Sequence, residues 1–363
     1  MATPPTFVLF SGHNDRAVVA LCRFFDQQAL SFAIVAQGPR DAIWRTRWRQ
    51  HVVLSRLDVR LDVALFAAVA QAVGTGETPA VICPTTEFMN QFLLDQRAAV
   101  EASGLVVPLP AAALYAQLTG KHSSLAVMQR LASLQPPPRQ PDGHWHAPCV
   151  LKPRENVSGN KVLYPKLCLT DAALHAALPG LDEAQWFAQD WVEGQSHYLC
   201  AYLARNGDRA WYWQDNLLQQ PGGKSMVLAR SGANPGVDVD ALFDGLAALG
   251  YHGPFMMELL RDAAGRLHYI EINPRFWGPL QLALAACPRL LTLFARDAGA
   301  NLPDAPEPAP GPHWYAWAHG GSAPGCRHYP AAAPLEPLGP GHPLLRDHDV
   351  YAAADTAALQ GCY

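Results

Sequence analysis

FMMELLRDAAGRLHYIEINPRFWG, Phe255 to Gly278, is the stretch whose reading decides the fold. FMMELL and LHYIEIN are rich in strand-favouring residues, and Arg261-Asp262-Ala263-Ala264-Gly265-Arg266 punctuates them, so the stretch reads as two strands closed by a short polar turn. Side chains alternate faces along a strand, so Glu271 and Asn273 point the same way. An even turn of about two or four residues would set Glu258 opposite Tyr269 and diagonal to Glu271, with all three on one face. Carboxylates are almost never fully buried unless paired or bound to a metal. Two carboxylates and an amide oxygen are hard ligands that suit Mg2+, which keeps several waters and takes one or two carboxylates plus nucleotide phosphates. On these residues alone, an amphipathic hairpin with one wet face is the alternative. Pro274 then ends the strand, and Arg275 brings a fixed positive fork just beyond the presumed metal site.

The segment MELLRDAAGRLHYIEINPRFWG resembles the metal-binding hairpin of the ATP-grasp superfamily, in particular its carboxylate-amine ligase branch. In that family an acidic residue on one strand and an E-x-N pair on the next hold two Mg2+ ions across the ATP phosphates. Glu258, Glu271 and Asn273 match position by position. The resemblance implies an α/β (α+β) chain with an ATP-grasp fold behind an N-terminal Rossmann-like pre-ATP-grasp domain. It implies ATP and Mg2+ as cofactors, with Mn2+ able to substitute.

Outward from the hairpin, 363 residues of which half are apolar are enough for two or three domains with sizeable cores. The formal charge of -4 gives no basic footprint for nucleic acid. Eight cysteines are scattered with no close pair in sequence, which points to neither a zinc site nor a disulfide framework but to cytosolic thiols. No basic region precedes a long apolar run at the N-terminus, and no 18-residue apolar segment occurs, so the expectation is a cytoplasmic protein without a membrane span.

The first part of the chain alternates strand and helix signals: Thr6–Phe10, a helical run from Ala17 to Phe25, Phe32–Ala36, a third apolar run at His51–Leu54, a helix over Val63–Val73 and Ala80–Pro84. This argues for a small parallel α/β domain over residues 1–110. The single glycine after the first strand excludes a dinucleotide fingerprint. Pro84-Thr85-Thr86-Glu87 lies at the carboxyl end of a strand, where such sheets place ligand contacts, although Thr86 as a helix cap is the simpler reading. Residues 111–300 are the expected ATP-grasp part, with a lid over about 120–188 and the metal-binding portion over about 189–300. Residues 301–363, rich in proline and glycine, read as an extension wrapped on the core.

Within that frame the resemblance assigns Lys121 and Lys152 to the nucleotide phosphates. Lys121 opens a helix but follows Gly120 where the family commonly has Asp. Lys152 sits in the apolar strand Cys149-Val150-Leu151-Lys152-Pro153, where a lysine requires a partner, and phosphate is the natural one. Arg154 to Lys161 would fold over the phosphates, with Ser158 and Gly159 as loop contacts. Trp186-Phe187-Ala188-Gln189-Asp190-Trp191-Val192-Glu193-Gly194 resembles the adenine hinge, with Gln189, Asp190 and Val192 in the matching positions. Gln195-Ser196-His197 stands where relatives carry a ribose-binding acid, and Ser196 is the candidate in its place. Arg230, beyond the Pro221–Ser225 loop, is a candidate anion contact, and Arg275 would steady the substrate carboxylate or its acyl phosphate. The implied activity is an ADP-forming ligation of a small carboxylic acid to an amine, with those small molecules as partners and a homodimer compatible with it. The alternatives are a nucleotide-binding regulatory protein without ligase activity and a small-molecule kinase.

Overall fold

The protein is described by a computed structural model covering residues 4–57, 59–76, 78–154, 157–158, 161–330 and 342–359. Its first unit is a five-stranded parallel sheet built from β1 (Thr6–Phe10), β2 (Phe32–Gln37), β3 (Val52–Arg56), β4 (Ala80–Ile82) and β5 (Leu105–Val106), in the order β3-β2-β1-β4-β5. Helices α1 (Asp15–Gln27), α2 (Val63–Val73), α3 (Glu87–Asp95) and α4 (Arg97–Ala102) connect them. β1 is central and nearly wholly buried, as expected of an apolar strand covered on both faces. The chain leaves β1 through Gly12 at φ +90, where an added Cβ would lie 2.1 Å from Oε1 of Gln37, so only glycine fits the turn.

Helices α5 (Ala112–Thr119) and α6 (Ser123–Ala132) lead to a small antiparallel sheet in the order β10-β6-β9, formed by β6 (Cys149–Pro153), β9 (Lys166–Cys168) and β10 (Trp186–Asp190). Helix α7 (Asp171–Ala177) covers one side, and β7 (Val157–Ser158) pairs antiparallel with β8 (Lys161–Val162). Cys149 and Cys168 face each other across β6 and β9, a proximity that their sequence spacing conceals.

The largest sheet is antiparallel and runs β15-β14-β11-β12-β13-β16, with β17 also paired to β12. Its strands are β11 (Gly194–Leu203), β12 (Arg209–Gln219), β13 (Met226–Gly232), β14 (Gly253–Asp262), β15 (Leu267–Asn273), β16 (Trp314–Ala316) and β17 (Arg327–His328). One face, carrying Leu199, Trp213, Met257 and Leu259, packs on α6 and α8 (Val239–Ala248). The other, carrying Tyr198, Cys200 and Tyr202, joins a core shared with β1, α1, α9 (Gln281–Ala286) and α10 (Arg289–Asp297). Two apolar faces explain why these strands read as nearly continuous hydrophobic runs.

The decisive hairpin differs from expectation in one respect. The turn between Asp262 and Arg266 holds three residues, Ala263 to Gly265, with Gly265 at φ +79, so it is odd rather than even. Tyr269 therefore pairs with Leu259 and faces the α6/α8 core, not Glu258. A β-bulge then restores the carboxylate face. Ile270 is the extra residue, the register shifts between Leu259 and Glu258, and Glu271 stands directly opposite Glu258.

The segment after residue 300 is integral to this sheet, contributing β16 and β17 to it. Farther on, Asp355 accepts from Nε and Nη2 of Arg23 at 2.9 and 2.6 Å, tying the chain end to α1. Among the described residues, no single helix is long and apolar enough to cross a membrane.

Candidate functional site

The small sheet and the large sheet enclose a cavity of about 660 Å3, a volume within the range of cofactor sites. Glu258 and Glu271 lie on its floor, directly opposite each other on β14 and β15. Asn273, two residues on from Glu271, donates from Nδ2 to Glu271 Oε1 at 2.8 Å. Lys121 donates from Nζ to Glu271 Oε2, also at 2.8 Å. Burial, and then the charge of Glu271, push the Glu258 carboxyl up, whereas the Lys121 ammonium holds Glu271 well below the usual range. Burial alone would lower Lys121, but the charge and hydrogen bond of Glu271 outweigh it and leave the ammonium raised. Two carboxylates this close cannot both stay charged in a desolvated place without a cation between them. Those oxygens and that of Asn273 fit a hard divalent cation.

Lys152 comes from β6 on the facing wall. Its side chain is buried, at 7% exposure, and no carboxylate pairs with it among the described residues. Burial, and then the neighbouring charge of Lys121, lower it to about 8. A desolvated ammonium without a counter-ion is costly, and a polyanion entering the cavity would supply one. Lys121 lies between α5 and α6, and Glu87 at the start of α3 is near enough for its charge to reach it. The loop between β4 and α3 docks directly on the metal-site turn: Phe276 N donates to Pro84 O at 2.9 Å, and Asn14 Nδ2 donates to Thr85 O at 2.9 Å and to Phe276 O at 3.3 Å. Thr86 does cap α3, accepting from Met89 N at 3.3 Å.

Asp190 and Val192 line the cavity at its other end. Asp190 is fixed by its amide, which donates to Pro138 O at 2.8 Å, and by Oδ1, which accepts from Gln140 at 2.8 Å. Gln189 spends its side-chain amide on Pro137 O at 3.1 Å, so it positions the strand end. The Val192 N–H makes no hydrogen bond among the described residues, and Leu260 and Ile270 provide apolar surface nearby. This is an edge suited to a flat heteroaromatic base.

Three of the residues singled out from sequence fall elsewhere. Arg230 pairs with Asp215 at 3.5 Å, and Asp215 stands opposite His197 on the face of the sheet away from Glu258, because Glu258 aligns with Tyr198. Strand parity thus removes Arg230 from the site. Ser196 is 1% exposed, accepts from Asn216 Nδ2 at 2.8 Å, and does not line the cavity. Arg275 donates to Phe276 O at 3.0 Å and to Asn273 Oδ1 at 3.4 Å, so it holds Asn273 in place beside the cavity without lining it. Gly159 lies outside the described residues, and for Ser158 only the backbone pairing in β7 is described. The sequence reading missed Trp191, Gln219, Arg327 and Tyr329, all on the cavity wall. Trp191 stood inside the hinge motif, whereas Arg327 and Tyr329 arrive from a Pro/Gly-rich segment with no periodic signal.

Neither a protein-family model nor a curated protein sequence matches this chain. Solved structures do. N5-carboxyaminoimidazole ribonucleotide synthetase from Thermus thermophilus is 18% identical over 85% of this chain and 82% of its own, with a TM-score of 0.60. An ADP complex of N5-carboxyaminoimidazole ribonucleotide synthetase gives 12% identity, 88% and 82% coverage, and a TM-score of 0.64. The biotin carboxylase domain of 2-oxoglutarate carboxylase from Hydrogenobacter thermophilus, solved as a dimer with MgADP, ADP and bicarbonate, gives 14% identity, 83% and 71% coverage, and a TM-score of 0.60. These are ATP-grasp proteins, and the chain has their fold.

Proposed function

We propose that this chain is an ATP-dependent, ADP-forming ligase that activates a small carboxylic acid as an acyl phosphate and joins it to an amine. The observation that carries the reading is the pairing of Glu258 with Glu271 on the floor of a cavity, with Asn273 bonded to Glu271, and with Lys152 on the facing wall, which has no carboxylate partner among the described residues. The ADP and MgADP found with similar folds support it. Mg2+, held by Glu258, Glu271 and Asn273, would stabilise charge on the transferring phosphoryl group, with Mn2+ able to substitute.

The chain's own residues do the rest. Asp190 and Val192 offer backbone groups to the adenine edge, Lys152 holds phosphate oxygens, and Lys121 joins it once released from Glu271. The carboxylate oxygen of the acid attacks the γ-phosphorus and ADP leaves. The amine nitrogen then attacks the acyl carbon, phosphate leaves, and the nitrogen loses a proton. Arg275 keeps Asn273 oriented throughout. The residues about 120–188 are proposed to close over the nucleotide, which excludes water from the acyl phosphate. The partners are small molecules, and self-association is proposed by analogy with the dimeric biotin carboxylase domain.

Hydroxylamine trapping over a panel of amino acids, dipeptides and other small acids tests the proposal. A ligase yields ADP and a hydroxamate with its own acid. Release of ADP with a stable phosphorylated product and no hydroxamate would make the chain a kinase. ATP binding without ADP release across the panel would make it a regulatory binder.

A further inference from the structure

One wall of the cavity comes from the Pro/Gly-rich segment beyond residue 300. Gly325 and residues 327–330 line it, held there by β17, in which Arg327 pairs with Gln219 and His328 with Leu218. The next residue is tied down as well: Tyr329 N donates to Leu217 O at 3.0 Å, and its hydroxyl donates to Gln219 Oε1 at 2.5 Å. Arg327 itself lies between two rings. Its guanidinium carbon is 4.0 Å from the Trp191 ring centroid and 4.3 Å from that of Tyr329. No carboxylate pairs with it among the described residues.

A guanidinium stacked between aromatic faces keeps its N–H donors in its own plane, at the edges that the rings do not cover. Its rotamer is already fixed, so little conformational freedom remains to be lost when an anion arrives. Among the described residues, Lys152 and Arg327 are the lysine and arginine lining the cavity, and they approach from different walls. Trp191 directly follows Asp190 at the adenine end, while the positive charge of Arg327 reaches Glu258 at the metal end. Arg327 therefore stands along the path from base to terminal phosphates, where the sugar and the first phosphate pass. Glu193 also lines the cavity, but it makes no ion pair with Arg327. An acid suited to the ribose hydroxyls is missing after Gly194, and Ser196 is turned to Asn216.

We propose that Arg327, clamped between Trp191 and Tyr329, binds the α-phosphate of the nucleotide, so that the C-terminal segment completes the nucleotide site. This rests on the nucleotide-binding reading above, and the test separates the two. Calorimetry of the full chain in EDTA would compare ADP, AMP and adenosine for the unaltered protein, Arg327→Met and Arg327→Lys. Met preserves the packing between the rings and removes the charge, and Lys restores the charge without the fork. In Arg327→Met the dissociation constants of ADP and AMP are expected to rise about tenfold or more, with that of adenosine unchanged. Arg327→Lys is expected to fall between. Unchanged ADP and AMP affinity in Arg327→Met would overturn the assignment. So would an equal loss for adenosine, which would make the side chain part of the apolar wall. If the unaltered protein binds none of the three in EDTA and does not bind ADP with Mg2+ either, the nucleotide reading itself fails and Arg327 falls with it.

Discussion

Two side chains of opposite charge decide what the site can do. Glu271 is engaged at both oxygens, by Lys121 and by Asn273. Glu271→Gln keeps the shape and removes the charge that a metal needs, so ADP release is expected to fall about a hundredfold or more, the scale on which a preorganised electrostatic group acts. The circular dichroism spectrum should be unchanged; full activity in the variant would remove Glu271 from the metal set. Burial, and then the charge of Lys121, lower the Lys152 ammonium to about 8, against 10.5 for an ordinary lysine. Phosphate beside it would favour the ammonium and raise that value again. Between about pH 8 and 10, ADP binding is therefore expected to take up a proton, and affinity to fall as pH rises. Titrations at pH 7.5 and 9.5 read this directly, and Lys152→Met should bind weakly at both, with the pH dependence gone. The lysine was legible in the sequence because an apolar strand exposes a charged residue at once. Arg327 was not, because only the fold brings it beside a hinge more than a hundred residues upstream.

Among the elements, the hairpin β14–β15 shows where strand periodicity stops informing. The two-residue period correctly joins Glu271 with Asn273. It cannot register the bulge, since Ile270 beside Glu271 leaves Tyr-Ile-Glu-Ile looking like an unbroken strand. The same alternation, followed through β11, β12 and β13, turns Arg230 away from the cavity, and that required the pairing partners and not the sequence. Gly194 marks a second element-scale constraint, where β11 leaves the hinge against β14. A Cβ there would sit 2.0 Å from the Arg261 carbonyl oxygen, which is backbone and held in the hairpin. Gly194→Ala is expected to cost about 1–3 kcal/mol and to weaken nucleotide binding by shifting Asp190 and Val192. Denaturant unfolding and ADP titration check the two effects, and an unperturbed midpoint would refute the clash.

For the molecule as a whole, the parallel sheet, the large sheet and the chain end share one connected core, and Arg23 is its polar rivet. At 7% exposure it donates to Asp355 and also to Gln281 Oε1 at 2.8 Å, joining α1, α9 and the C-terminal turn. Asp355→Asn would leave a buried guanidinium short of its counter-charge, at an expected cost of about 3–5 kcal/mol. Burial by itself would raise the Asp355 carboxyl, but Arg23 outweighs it and depresses the folded value below 3.8. The contribution is thus present above the ordinary carboxylate range and lost as pH falls through the depressed value. Urea midpoints at pH 7 and pH 3 should differ less for the variant than for the unaltered chain. The parallel α/β character of the first part was readable from strand and helix spacing. The return of residues 314–316 and 327–328 into the sheet was not, because short strands amid proline and glycine carry no alternation to detect.

The ammonium of Lys121 occupies the place on Glu271 that a metal would take. A bare cation arriving first must displace it from a buried partner, leaving it to the more distant charges of Glu87 and Glu258. A nucleotide arriving with its own metal offers phosphates to the lysine and the cation to the carboxylate in one exchange. On the proposed reading, the resting contact favours metal and nucleotide entering together.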